Sequence, residues 1–371
     1  MSNKLLVSTR KGLFTLGQSA PHQWNIQSSA FLGDSVTLAI VDPRSGHSYA
    51  ALNHGHFGVK LHRKTNVKPD WHEISTPTYP DFPDEREPDR CPMRGIEIPW
   101  KLELIWALVP GGADQPGRLW CGTLPGGLFR SDDHGDNWTL VQSLWDVPER
   151  AKWMGGGYDY PGIHSICVDP RNSSHITVAI SCGGVWETTD DGASWSLIGQ
   201  GLRNDYLPPD QAFDPVAQDP HIMVQCPSSP DHLWIQHHNG IFKSVDGGKS
   251  FAEIQEAGPS VFGFAAAVHP QNPDTAWFVP AIKDEQRIPV NGKLVVTRTR
   301  DGGESFEALS EGLPQTHAYD LVYRHALAID ESGHQLAMGS TTGNLWTTKN
   351  HGDIWTIASS TLPPIHSVSY F

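Results

Sequence analysis

Apolar positions along this chain fall into short alternating runs broken by turns, and nowhere into a long 3.6-residue periodicity. That pattern predicts strands of a few residues each, packed on both faces and joined by tight loops. The runs recur in a fixed order. A first strand ends in an Asp-Pro-like turn, as in Leu38-Ala-Ile-Val-Asp-Pro43, Ser165-Ile-Cys-Val-Asp-Pro170 and Ala265-Ala-Ala-Val-His-Pro270. A second is mainly apolar, such as Thr177-Val-Ala-Ile180. A third opens on a Gly-apolar-aromatic step, as in Gly127-Leu-Phe129, Gly184-Val-Trp186 and Gly240-Ile-Phe242. A fourth follows an Asp-containing turn, such as Trp138-Thr-Leu-Val141.

The turn between third and fourth strands is the most specific element. Ser131-Asp-Asp-His-Gly-Asp-Asn-Trp138 returns as Thr188-Thr-Asp-Asp-Gly-Ala-Ser-Trp195, Ser244-Val-Asp-Gly-Gly-Lys-Ser-Phe251, Thr299-Arg-Asp-Gly-Gly-Glu-Ser-Phe306 and Thr348-Lys-Asn-His-Gly-Asp-Ile-Trp355. The Asp is expected to cap the turn's backbone, the Gly to take a positive φ, and the aromatic to fill the space between neighbouring sheets. These turns are structural, and Asp133, Asp191, Asp246 and Asp301 receive no catalytic role.

First strands are expected near Thr37, Leu104, His164, His221, Phe264 and His325, which makes six units. The ends supply a seventh. Residues 4–14 read as second and third strands, Trp24-Asn-Ile26 as a fourth, and Ile365-His-Ser-Val-Ser-Tyr-Phe371 as the missing first. Joining them leaves no open seam. The predicted fold is an all-β, seven-bladed β-propeller of four-stranded antiparallel blades, closed by the C-terminal strand and forming one domain over residues 1–371. Long segments interrupt the repeat at about 75–100, at Leu144–Ile163 and at Val279–Leu294. All are expected on the face opposite the Asp-containing turns, where function concentrates.

Composition narrows the partners. The chain has 371 residues, with 36 Gly, 29 Pro and 14 Trp, and a formal net charge of -14. An acidic chain without a basic run is a poor partner for nucleic acid or an anionic membrane. The opening residues break their apolar run at Ser8 and do not read as a signal peptide. Five cysteines without framework spacing read as reduced residues of a cytoplasmic protein.

The five turns, the opening run Leu5–Phe14, Ile163-His-Ser-Ile166, Asp246-Gly-Gly248, Phe262-Gly-Phe264 and Thr341-Thr-Gly343 resemble the BNR/Asp-box propeller family, also described as sialidase-like. The likeness covers nearly the whole chain and implies the propeller fold. It leaves activity open, because that family holds glycosidases, assembly factors and receptor propellers. Sialidases, as the resemblance implies, use an arginine triad, a Tyr–Glu pair, an Asp acid/base and an Arg-Ile-Pro motif in the first blade. Here Arg287-Ile-Pro289 falls in the sixth unit, inside a long loop.

Aligning the first strands produces a column of histidines, His164, His221, His325 and His366, with Thr37, Leu104 and Phe264 in the other three blades. An innermost strand borders the channel of a propeller. Four imidazoles at its mouth would offer nitrogen ligands to one divalent transition metal, with Fe(II) favoured and Cu, Zn, Mn or Ni as alternatives. Neutral ligands with open positions suit a redox or Lewis-acid centre. The competing reading is a water-lined polar channel.

His54 and His237, in the runs Asn53-His-Gly-His56 and Gln236-His-His-Asn239, are candidate acid/base groups together with Tyr160. His56, His238, Tyr158, Arg287 and His317 are candidate substrate contacts. These residues predict a metal-dependent enzyme, of non-haem Fe(II) oxygenase type, acting on a small molecule. The alternatives are a non-catalytic binding or assembly propeller, and a sialidase-like glycoside hydrolase with two carboxyl groups, or a Tyr–Glu pair, at its mouth.

Overall fold

A computed structural model describes residues 2–20, 23–85 and 87–371. Arg86, within the predicted insertion, lies outside them. Among the described residues, 28 strands form seven four-stranded sheets, the blades of an all-β seven-bladed propeller. Blade 1 joins the two ends of the chain in the order Ile365–Tyr370, Lys4–Thr9, Gly12–Ala20, Gln23–Ala30. Its C-terminal strand runs antiparallel to Lys4–Thr9, with Val368 opposite Val7. The closure expected from the two incomplete ends is therefore present.

The chain divides into two compact units. The first comprises Met1–Val41, Val224–Lys243 and Ala252–Phe371; the second comprises Asp42–Met223 and Ser244–Phe251. The first holds blade 1, blade 6 (Gly263–His269 to Glu307–Leu309) and blade 7 (Leu327–Ile329 to Thr356–Ser359). The second holds blade 3 (Leu104–Pro110 to Thr139–Leu140) and blade 4 (Gly162–Val168 to Ser196–Ile198).

The Asp-containing turns recur with one geometry. In blade 3 the Ser131 hydroxyl accepts the Gly135 N–H at 2.8 Å, and Asp133 Oδ1 accepts the Ser131 hydroxyl and the Asn137 N–H, both at 2.9 Å. Thr188 and Asp190, Ser244 and Asp246, Thr299 and Asp301, and Thr348 and Asn350 repeat the pattern. The side-chain acceptors satisfy turn N–H groups that no strand partner reaches. In blade 4 the capping residue is Asp190. Asp191, the residue named from the sequence, occupies the next position, at φ 61°, as His134 does at 62° and His351 at 59°. The carbonyl of that left-handed residue accepts a hydrogen bond from the third strand of the preceding blade. Arg63 reaches the His134 oxygen at 2.9 Å, and Arg298 reaches the His351 oxygen at 2.8 Å. Each turn thus caps itself, and these two also tie neighbouring blades together.

The aromatic closing each turn contributes less burial than expected. Phe251 and Trp355 are buried, whereas Trp138, Trp195 and Phe306 are half-exposed. The strands fill the inter-sheet space instead, with Trp120 and Phe129, Trp186, Trp234 and Phe242, and Trp277 all buried. A fully buried aromatic removes about 150–250 Å² from water, a gross gain of about 4–6 kcal/mol before conformational entropy is counted.

Candidate functional site

Three segments of the second unit meet around Asp219, a buried carboxylate. The first is the end of blade 4's second strand, Ile176–Ser181, whose Ser181 hydroxyl donates to Asp219 Oδ1 at 2.7 Å. The second is the start of the strand Pro220–Gln225, where His221, also buried, holds Nε2 3.7 Å from Asp219 Oδ2. The third is Met154-Gly-Gly-Gly-Tyr-Asp-Tyr160. A Cβ on Gly156 would lie 2.7 Å from Ser181 Oγ and 2.9 Å from Asp219 Oδ2. Only a residue without a side chain lets the backbone pass so close to the carboxylate.

The 75–100 insertion reaches into this glycine segment. Arg94 donates to Asp159 Oδ1 at 2.6 Å and to the Gly156 carbonyl at 3.3 Å. Asp159 and Tyr158 are exposed. Tyr158 packs edge-on against Trp106, with ring centroids 5.0 Å apart, and Trp106 meets the His164 ring at 5.3 Å. Tyr160 is half-buried and packs against Leu104, Trp106 and Leu124. The arrangement sets a buried carboxylate with a His and a Ser beside an exposed carboxylate and an aromatic wall.

Two histidines of the column lie against carbonyl oxygens of the next blade. His164 Nε2 lies 2.7 Å from the Pro220 carbonyl oxygen, and its Nδ1 lies 2.8 Å from Ser165 Oγ. His366 Nδ1 lies 3.0 Å from the Val36 oxygen. Pro220 and Val36 each precede the equivalent column position of the next blade, His221 and Thr37. Both histidines therefore join first strands of consecutive blades, and both ring nitrogens of His164 are already engaged by protein oxygens. A metal at His164 would have to displace one of those bonds. His325 sits in a 3₁₀ turn, Arg324–Ala326, ahead of the strand Leu327–Ile329, not at the strand start predicted for it. Within the second unit, His221 of the column has the Asp219 carboxylate beside it, and the two are potential metal donors.

His237 is the last residue of the strand Leu233–His237, fully buried, and its Nδ1 accepts the Asn239 N–H at 3.2 Å. Burial closes it to substrate and corrects its expected place in a loop. His238 meets Phe262 edge-on at 6.0 Å. His54 precedes the 3₁₀ turn Gly55–Phe57, and exposed His56 packs on Phe57 at 3.9 Å. Arg287 is tied to Asp284 Oδ1 at 2.6 Å and lies over Phe264. His317 is exposed in a left-handed turn, with φ 53°.

Asp219, Ser181 and Arg94 were not singled out as site residues from the sequence. The Gly155–Gly157 run was the available signal, since three consecutive glycines in a loop mark a close approach.

No protein-family profile matches the chain. It resembles xyloglucanases over part of its length. Identity is 26% over 182 residues to the xyloglucanase of Hypocrea jecorina, covering 43% of this chain and 20% of that one. It is 33% over 93 residues to a probable oligoxyloglucan-reducing end-specific xyloglucanase of Neosartorya fischeri, covering 24% and 10%. The chain thus spans at most a fifth of the curated relatives it matches. Among solved structures, the GH74 xyloglucanase of Xanthomonas campestris superposes over 97% of this chain and 53% of its own, with a TM-score of 0.65 at 17% identity. YCF48 bound to D1 peptide superposes over 87% and 81%, with a TM-score of 0.54 at 12% identity. At these identities the superpositions show the fold.

These relatives correct the expected iron-dependent oxidoreductase. The proteins similar in sequence are xyloglucanases, hydrolases of a carbohydrate.

Proposed function

We propose that this chain is a carbohydrate-active propeller of the BNR/Asp-box kind that binds a xyloglucan-type polysaccharide and hydrolyses a glycosidic bond beside Asp219. The similarity to two xyloglucanases supports the substrate class. The observation that carries the site is the pairing of buried Asp219 with exposed Asp159 across Gly156, next to the Trp106–Tyr158 wall. Glycoside hydrolysis uses two carboxyl groups in unlike environments. A sugar ring presents C–H faces that pack on aromatics and hydroxyls that hydrogen-bond to carboxylates.

The test is release of reducing ends from xyloglucan and its oligosaccharides by the full chain, compared with Asp219→Asn and Asp159→Asn. The reading expects release by the parent and a loss of at least tenfold in each variant. No release from any β-glucan, or rates in both variants equal to the parent's, would refute it.

A second reading has its own observation. The chain covers 81% of the peptide-bound YCF48 structure but only 53% of the xyloglucanase chain. A propeller of this size matches a protein whose structure holds a peptide. On this reading the loop-rich face binds a peptide without cleaving sugar, and the net charge of -14 favours a basic one. Saturable peptide binding without reducing-end release would select it.

A further inference from the structure

A cavity elsewhere in the same unit is built around a different charge. The insertion is anchored by Tyr79, whose buried hydroxyl lies 2.6 Å from Thr123 Oγ1 and accepts the Gly127 N–H at 3.0 Å. Beyond this anchor a cavity of about 230 Å³ lies between the insertion and the 142–161 segment. Pro88, Ile98, Pro125 and Pro161 make its apolar walls, and Arg150 enters it.

Arg150 is rigidly held. Its Nε donates to the Trp145 carbonyl at 2.7 Å, its Nη2 to Asp89 Oδ2 at 2.9 Å, and its guanidinium lies 3.9 Å over the Trp145 ring. Trp100 Nε1 donates to the same Asp89 oxygen at 2.9 Å. The side chain of Arg150 is 11% exposed. Its remaining nitrogen, Nη1, makes no hydrogen bond to protein among the described residues. Arg90 adds a second guanidinium to the lining, where Asp89 is the one carboxylate; outside the lining Arg90 also faces Glu97 at 4.0 Å.

We propose that this cavity binds a small monocarboxylate with an apolar body. The carboxylate would accept from Arg150 Nη1, with Arg90 adding attraction, and the body would rest on the prolines and Ile98. A guanidinium fixed in advance loses little freedom on binding and pairs well with carboxylate oxygens. A sugar suits the walls less. The Trp145 face is covered by Arg150, and its ring packs against Tyr79 and Trp100, so it offers no platform to a pyranose. The volume equals that of about eight waters at about 30 Å³ each, enough for one ring-sized acid. This site is independent of the carbohydrate reading, which rests on Asp219.

The test is calorimetric titration of the full chain with benzoate and with benzyl alcohol, its neutral counterpart. Saturable heat from benzoate, at least tenfold weaker binding of the alcohol, and loss of benzoate binding in Ala151→Leu are expected. Ala151 lines the cavity and is exposed, so the larger side chain fills the space without disturbing the Arg150–Asp89 pair. A thermal melt matching the parent establishes that the variant is folded. Arg90→Gln, on the exposed edge, should weaken binding severalfold and serves as the second variant. No saturable heat up to about 10 mM benzoate, weaker than any affinity a fixed ion pair should give, would overturn the proposal. So would equal binding of the alcohol, or unchanged binding in folded Ala151→Leu.

Discussion

His164 Nε2 stands 2.7 Å from the Pro220 carbonyl oxygen, and that bond carries the first strand of blade 4 onto the first strand of the next blade. His366 makes the corresponding bond to Val36. Removing either ring leaves a strand carbonyl without its partner. His164→Ala is expected to destabilise the chain by about 1–3 kcal/mol, and His366→Ala, at a less buried site, by the lower part of that range. Urea denaturation measures both. A His164→Ala variant as stable as the parent would remove the structural role given to the column.

Arg298 is buried; it joins blade 6 to blade 7 through the His351 carbonyl and Asp353 at 2.7 Å, and pairs with Glu307 of its own blade at 2.6 Å. Both carboxylates are about half exposed, so water screens the ionic part. The hydrogen bond to His351 and the packed stem remain to be lost. Arg298→Ala should cost about 2–3 kcal/mol. Arg298→Lys should recover part of that, because one ammonium cannot span all three oxygens. Matched melting curves of the two variants decide it.

The turn carboxylates carry a signature in acid. Hydrogen bonds from Ser194 and Ser305 hold the carboxyls of Asp190 and Asp301 down to about 2, from an ordinary 3.8. A depressed pKa stabilises the fold above the unfolded value, and that contribution is lost as pH falls through the folded one. Stability should therefore decline between about pH 4 and pH 2. Asp190→Asn together with Asp301→Asn should flatten that decline while leaving stability near pH 7 lower than in the parent. Denaturation across this range checks the sign.

Gly156 tests the site without removing any functional group. A methyl there would meet Ser181 Oγ and Asp219 Oδ2 inside 3.0 Å, so Gly156→Ala must lift the glycine segment from the carboxylate. Xyloglucan hydrolysis should fall at least tenfold, equivalent to about 1.4 kcal/mol of barrier, with little change in melting temperature. Arg94→Ala, which frees Asp159 and the Gly156 carbonyl together, should act in the same direction. Rates unchanged in both would separate this segment from the chemistry.

What the amino-acid sequence determined by itself is the repeat. Ser131, Asp133 and Gly135 lie within five positions of one another, so their turn closes from local hydrogen bonds alone, and five copies announce the blades. The strand missing at one end and spare at the other announced the closure. Even so, only the left-handed carbonyls and the arginines that reach them from the preceding blade show how the turns also bind blades together.

The tertiary structure alone decided what the inner histidines face. The spacing placed His164 and His366 in one column, but a ring's use depends on which oxygen lies beside it, and Pro220 and Val36 are 56 and 330 residues away in sequence. The same holds for Asp219 and Ser181, 38 residues apart, and for Arg150 and Asp89, 61 apart. A turn is specified by neighbours along the chain and can be read there. A site is specified by neighbours through space, and those exist only once the blades have packed.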